Sequence, residues 1–139
     1  EMIKKLELDR SIHEELIHNA EQLSQKLKLP YRVVNICTGD IGIVASKKYD
    51  LEVWMPREKK YKEAVSCSNC TAYQATRLNI RYQKESENPH VHTLNSTAIA
   101  TGRCLRAIIE NYQKEDGTIE VPKVLQPYMH GIKELGKKP

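Results

Sequence analysis

The amino-acid sequence predicts an α+β fold, with an antiparallel sheet flanked by helices. Three observations support it: an amphipathic helical pattern near the N-terminus, several strand-like runs in the middle, and a second amphipathic helix after them. Helices separated from a group of strands in this way are typical of α+β proteins. The 139 residues suffice for one modest core, so we expect a single domain over 1–139.

The first helix is predicted in the segment SIHEELIHNAEQLSQKLKLP, which Pro30 ends. Apolar residues recur there at helical spacing, namely Ile12, Leu16, Ile17, Ala20, Leu23 and Leu27. Ser11 and Glu14 form a capping-box pattern, which is typical of a helix N-terminus. The preceding EMIKKLEL, residues 1–8, is expected to lie in a strand-containing segment. Because the chain opens with Glu1 and not Met, we expect it to be a piece of a longer or processed protein.

The middle of the chain is predicted to contain most of the strands. YRVVNIC at 31–37 is nearly all apolar, which indicates a buried strand, whereas YDLEVWMP at 49–56 alternates as a half-buried strand does. LNIRYQ at 78–83 alternates in the same way. TGDIG at 38–42 is a glycine turn, and QKESENPH at 83–90 is expected to be a polar surface loop.

The second helix is predicted in the segment STAIATGRCLRAIIENYQ. Asn95, Ser96 and Thr97 stand at or just before its start, where short polar side chains cap free amides or where the helix dipole favours a bound anion. Capping is the more frequent use of such residues. Arg103 lies within the apolar helix and needs an anionic partner, either a carboxylate such as Glu63 or a phosphate.

Composition excludes several classes of protein. With 22 basic and 18 acidic side chains the net charge is +4, too small an excess for a dedicated nucleic-acid binder. No apolar run is long enough to span a membrane, so no membrane association is expected. Four cysteines at irregular spacing are typical of reduced thiols, which indicates a cytoplasmic protein.

Cys67 and Cys70 have a C-x-x-C spacing that could serve zinc together with His90 and His92. The H-x-H spacing and the absence of a glycine knuckle disfavour a Cys₂His₂ site. A redox pair is disfavoured because a βαβ context is missing. We therefore expect two free thiols without zinc.

Five segments, in this order, resemble the family of seryl-tRNA synthetases: PYRVVNICTGDIG, KKYDLEVWMP, YKEAVSCSNCTAYQATRLNIRY, HTLNSTAIATGR and ENYQKEDGTIEVPKVLQPYM. The resemblance runs from about Leu27 to Met129 and is to the C-terminal half of the class II catalytic domain. SNCT, YQA and RLNIRY followed by HTLN is the most specific part. The sequence departs from the family at Ala72 and Thr76, where an acidic residue and an arginine are usual.

The resemblance implies an ATP site with Mg²⁺. By the family pattern, Glu63 and Ser66 contact ATP and its metal, Ala64 and Val65 between them belong to the ATP-binding segment, and Arg103 is the catalytic arginine that grips the phosphates. A carboxylate, a hydroxyl and a guanidinium suit such a site. A regular strand would place Glu63 and Ser66 on opposite faces, so a bulge or a strand end is required.

The resemblance also implies a serine pocket and a reaction. Asn95 and Thr97 match residues that line the pocket, and Glu1 matches a serine-binding glutamate at the end of motif two. Serine would be activated by ATP as seryl-adenylate and transferred to tRNA(Ser), in a parent that is a homodimer. Motif one, the start of motif two and the N-terminal tRNA-binding arm are not found in the sequence, so we expect the isolated chain to be inactive. The alternative is a catalytically silent homologue that acts as a binding or assembly module.

Overall fold

The structure is a computed structural model that describes residues 2–136, with side chains from residue 9 onward. The main sheet in this part of the chain has four antiparallel strands in sequence order: β1 (Tyr31–Asn35), β2 (Lys47–Met55), β3 (Lys60–Thr71) and β4 (Thr93–Ser96). Because each strand pairs with the next along the chain, β1 and β4 form the two edges. The predicted α+β class with an antiparallel sheet is confirmed.

Two long helices, α1 (Met2–Lys26) and α3 (Thr101–Tyr112), cover one face of this sheet, and a short helix, α2 (Tyr73–Leu78), follows β3. The core lies between the two long helices and the central strands. It includes Ile17, Ala20 and Leu27 from α1 and the following turn, Leu51, Val53, Met55, Val65 and Cys67 from the sheet, and Cys104 and Ala107 from α3. The opposite face of the sheet, which we call the open face, is not covered by α1 or α3.

The alternation predicted for β2 is confirmed and explains how the two faces differ. Leu51, Val53 and Met55 are at most 1% exposed on the core side. Side chains of a strand alternate between its faces. Asp50 and Glu52 therefore lie on the open face, so the hydrophobic pattern that builds the core also delivers carboxylates to the other side.

A small two-stranded sheet follows α3. It pairs β5 (Ile119–Glu120) with β6 (Glu134–Leu135), and a 3₁₀ helix (Gln126–Met129) lies between them in the chain. Among the described residues, no helix combines the length and the apolar character that crossing a membrane requires.

The prediction for the N-terminal segment was wrong. Residues 2–8 continue α1, and Ser11 lies inside the helix, not at its N-terminus. Met, Lys, Leu and Glu, which make up most of this segment, are all good helix formers, so intrinsic propensity favours the observed state. Glu1 lies outside the described residues.

Two strand predictions need correction. β1 is an edge strand, not a buried one: Val33 is 38% exposed, because only β2 pairs with it in the described chain. The segment 78–83 is not a strand, since Leu78 ends α2 and Asn79 is left-handed with φ 53°. Arg81 forms only an isolated bridge with His90. The polar loop at 83–90 is at the surface as predicted.

The start of the second helix was also placed too early. Asn95 and Ser96 belong to β4, and α3 begins at Thr101 after an N-cap, Ala100, that makes no side-chain cap hydrogen bond. The predicted capping role of residues 95–97 was therefore wrong. Arg103 is more exposed than expected, with 54% of its side chain accessible, because it lies in the first turn of the helix.

Candidate active site on the open face

A β-bulge in β3 brings Glu63 and Ser66 to the same face of the sheet. Across the β2–β3 ladder, Asp50 is opposite Ser66 and Glu52 is opposite Glu63, with a register shift between Leu51 and Glu52. Asp50 and Glu52 are two residues apart and so share a face, whereas their partners are three apart. The additional residue in β3 is what a bulge supplies. The bulge that the sequence analysis required for Glu63 and Ser66 to share a face is therefore present.

Arg103 reaches from the first turn of α3 to Glu63. One guanidinium nitrogen, Nη1, donates a hydrogen bond to the Glu63 carbonyl oxygen at 2.8 Å and lies 3.6 Å from the carboxylate oxygen Oε1. Both side chains are about half exposed, at 54% and 43%. An ion pair this accessible to water is weak. The pair can therefore separate to contact a ligand at small cost.

Ala64 and Val65 have their side chains in the core, where each is 1% exposed. The backbone of Ala64 is also engaged, since its carbonyl oxygen accepts a hydrogen bond from the Ala100 amide at 2.7 Å. Any contact of these two residues with ATP would run through the backbone. Their side chains anchor the bulge in the core, and the Ala64 carbonyl fixes the backbone just before α3.

Asn95 and Thr97 lie along the edge next to Ser66. The Thr97 amide donates to the Ser66 carbonyl at 3.0 Å, which extends the β3–β4 pairing past the end of β4. Asn95 and Ser66, together with Lys48 and Ser68, line a cavity of about 320 Å³ that the segment 41–45 borders. One residue expected at ATP and one expected at serine thus share a cavity.

A larger cavity, about 780 Å³, lies beside the outer side of α3 and contains none of the predicted site residues. Pro56, Arg57, Leu105 and Glu110 are among its lining residues. The larger of these two cavities is therefore not the one that contains the predicted site residues. The smaller cavity has the polar groups and lies on the open face.

Asp50 is a residue of this face that sequence reasoning missed. It is 7% exposed, and its carboxylate lies 3.6 Å from the Lys48 ammonium. Burial raises the pKa of the Asp50 carboxyl above its usual value, the Lys48 charge opposes that shift, and the nearby Glu63 charge adds to it. The alternation in YDLEVW assigns Asp50 to the open face, but only the pairing with β3 reveals that it is buried.

A second charged pair marks the β1 side of the open face. The Arg32 Nε donates to the Glu52 carboxylate at 2.6 Å, and the Arg32 guanidinium carbon lies 4.7 Å from the centre of the Tyr61 ring. Since Glu52 is opposite Glu63 in the ladder, this pair borders the Arg103 pair. The open face therefore holds both acidic and basic groups close together.

The two cysteines of the C-x-x-C segment lie on different sides of the sheet. Cys67 belongs to the core, with its Sγ 3.9 Å from the His13 carbonyl oxygen, whereas Cys70 lines the smaller cavity. Burial raises the pKa of both thiols. All four cysteines of the chain are free, and His92 is paired with Asp9. Within the described residues, no three His, Cys, Asp or Glu side chains converge in a metal-binding group.

The residues at the bulge fit Mg²⁺ bound together with a nucleotide. Mg²⁺ prefers oxygen ligands and commonly takes only one or two protein ligands, with phosphates and water completing its shell. Glu63 and Ser66 offer a carboxylate and a hydroxyl on one face, next to the cationic Arg103. A cage of three or more protein ligands is not needed for this type of site.

Family comparison agrees with the fold. The family model for the class II core domain of tRNA synthetases (G, H, P, S and T) matches residues 3–112. The chain belongs to this family.

The most informative relatives are serine–tRNA ligases. The chain is 65% identical over 127 residues to the serine–tRNA ligase of Methanoculleus marisnigri, a match that covers 89% of this chain and 30% of that protein. The chain is 60% identical over 128 residues to the serine–tRNA ligase of Archaeoglobus fulgidus, a match that covers 90% of this chain and 28% of that protein. The chain thus spans about 30% of the length of these curated relatives.

Solved structures of the same class superpose closely. Seryl-tRNA synthetase from Pyrococcus horikoshii, complexed with ATP, has a TM-score of 0.91 and 56% identity, covering 96% of this chain and 30% of that one. Cytoplasmic serine–tRNA ligase from Naegleria fowleri, in complex with AMP, has a TM-score of 0.86 and 47% identity, covering 94% and 32%. The main sheet and its helices are therefore shared with proteins crystallised with adenine nucleotides.

Proposed function

We propose that this chain is part of a serine–tRNA ligase and forms the C-terminal part of its class II catalytic domain. The observation that carries the proposal is the bulge, which sets Glu63 and Ser66 on one face beside Arg103. Support comes from relatives named serine–tRNA ligase and from similar structures crystallised with ATP or AMP. The substrates would be serine, ATP and tRNA(Ser).

In this proposal Arg103 binds phosphate oxygens of ATP. Its guanidinium, now shared between the carbonyl and the carboxylate of Glu63, presents planar donors that match phosphate geometry. Glu63 and Ser66 would hold Mg²⁺, which, when bound, would offset part of the triphosphate charge. The weak, half-exposed pair of Arg103 with Glu63 places both groups side by side and can open when the nucleotide binds.

Asn95 and Thr97 would recognise serine from the adjacent edge. In the reaction, a carboxylate oxygen of serine attacks the α-phosphorus of ATP, and pyrophosphate leaves. The terminal hydroxyl of the tRNA then attacks the acyl carbon and releases AMP. Positioning and electrostatic stabilisation suffice for both steps, and no protein nucleophile is required.

The chain is proposed to be one part of a longer protein. The longer protein would be a homodimer that supplies the remaining phosphate-binding and tRNA-binding parts, and Glu1 would belong to its serine site. The four free cysteines of this chain suit a reducing cytoplasm, which we propose as the location of the longer protein.

A chimeric ligase tests the proposal. The 127 matched residues of the Methanoculleus marisnigri protein are replaced by those of this chain, and serine-dependent ATP–pyrophosphate exchange is measured beside the unaltered relative and the isolated 139-residue chain. We expect exchange by the chimera within about tenfold of the relative, a difference of about 1.4 kcal/mol in barrier. The isolated chain should be inactive. An inactive, folded chimera would instead favour the silent homologue.

A further inference from the structure

The carboxylate of Asp50 is buried on the open face without the hydrogen bonds that such a group normally makes. The whole residue is only 7% exposed, and its oxygen Oδ1 is buried without a hydrogen-bond partner. The closest cation, Lys48 Nζ, is 3.6 Å from that oxygen, which exceeds hydrogen-bonding distance. A buried carboxylate without full pairing lowers stability, and an apolar side chain would fit such a position at less cost. Its position on the open face points to a role there.

Asp50 faces Ser66 directly. The two residues are Cα partners in the β2–β3 ladder, on the side of the bulge where pairing is regular. Side chains at such paired positions lie within contact distance of each other.

A serine hydroxyl that binds a cation must present a lone pair, not its proton. The hydroxyl has one proton and two acceptor lone pairs, and it rotates to suit its neighbours. An anionic acceptor behind the hydroxyl accepts its hydrogen bond, so that the O–H points toward the acceptor and the lone pairs point away from it. Partners that orient a metal ligand in this way commonly matter almost as much as the ligand itself.

We propose that Asp50 is a positioning residue that accepts a hydrogen bond from the Ser66 hydroxyl and thereby directs a Ser66 oxygen lone pair toward the cation of the nucleotide site. The inference rests on the proposed function, because it assigns Ser66 the role of a metal ligand. Lys48, on the same strand, limits the cost of the Asp50 charge while staying outside hydrogen-bonding distance.

The test measures the χ1 rotamer of Ser66 by NMR three-bond couplings in the 139-residue chain. The wild-type chain should show one rotamer. Asp50→Ala and Asp50→Leu remove the acceptor and should give rotamer averaging, whereas Asp50→Asn keeps a side-chain carbonyl oxygen and should restore the single rotamer. Dispersed amide spectra establish that each variant is folded, and two apolar replacements of different volume guard against a local collapse.

Glu52→Gln is the matched control. Glu52 is on the same strand and the same face, but it is bonded to Arg32 at 2.6 Å and lies opposite Glu63, not Ser66. It should leave the Ser66 couplings unchanged. Unchanged couplings in both folded apolar variants would overturn the proposal, as would averaging in Asp50→Asn equal to that in Asp50→Ala. Because this readout needs no activity, its failure is distinguishable from an inactive chimera, which would count against the proposed function alone.

Discussion

Replacing Arg103 by Ala should separate stability from catalysis. The side chains of the Arg103–Glu63 pair are 54% and 43% exposed, so the ion pair contributes at most about 1 kcal/mol to folding. The hydrogen bond to the Glu63 carbonyl adds about 0.5–1.5 kcal/mol. We therefore expect Arg103→Ala to lower the free energy of unfolding of the 139-residue chain by less than about 2.5 kcal/mol, the sum of these two upper limits.

The effect on the reaction should be larger. Loss of one preorganised donor to a reacting centre typically lowers the rate by about 10²–10³, or about 2.7–4 kcal/mol. We expect a loss of this size in serine-dependent ATP–pyrophosphate exchange by the chimera. Denaturant unfolding and exchange kinetics measure the two quantities separately.

Arg106→Ala is the control for this experiment. Arg106 is on the same helix and pairs with Glu58 at 2.6 Å and with Glu110 at 2.7 Å, beside the larger cavity. It should leave exchange unchanged. Equal losses for the two variants, or exchange by Arg103→Ala close to that of the parent chimera, would refute the assignment of Arg103 to the phosphates.

Two further predictions follow from buried groups. Burial raises the pKa of Asp50 in the folded chain, so its ionisation opposes folding as the pH rises above about 3.9, the unfolded value. Asp50→Asn should therefore increase the free energy of unfolding at pH 7, and this gain should disappear in unfolding curves recorded below about pH 3.9; a gain that persists in acid would contradict the pKa assignment. Among the cysteines, exposed Cys37 should react with a thiol reagent much faster than Cys67, Cys70 and Cys104, whose pKa values are raised by burial. Four equally fast thiols, or stoichiometric zinc in the purified chain, would show that the cysteines are misassigned.

The spacing of apolar residues was sufficient to predict a strand where one face of that strand is buried against the helices. Leu51, Val53 and Met55 alternate because one face of β2 packs on helices, and that pattern is visible without a structure. It failed for residues 78–83, where Leu78 and Ile80 are 70% and 44% exposed and their alternation reflects no buried face. Residues 2–8 continue α1 and do not form the expected strand segment, because their intrinsic propensity favours a helix.

The candidate site was only partly predictable for a related reason. The resemblance to seryl-tRNA synthetases pointed to Glu63, Ser66 and Arg103, but strand geometry alone placed the first two on opposite faces. The bulge that reconciles them depends on the register between β2 and β3, which no local pattern encodes. Asp50 was missed because its burial arises from that same pairing.

The most direct test of the account is a crystal structure of the chimera with ATP and Mn²⁺. The anomalous signal of Mn²⁺ locates the metal ion. The account predicts a metal ion bonded to a Glu63 carboxylate oxygen and to the Ser66 hydroxyl oxygen, with the Arg103 guanidinium on the phosphates. A nucleotide-bound metal that contacts neither Glu63 nor Ser66, or a β3 strand whose side chains at 63 and 66 point to opposite faces, would contradict it.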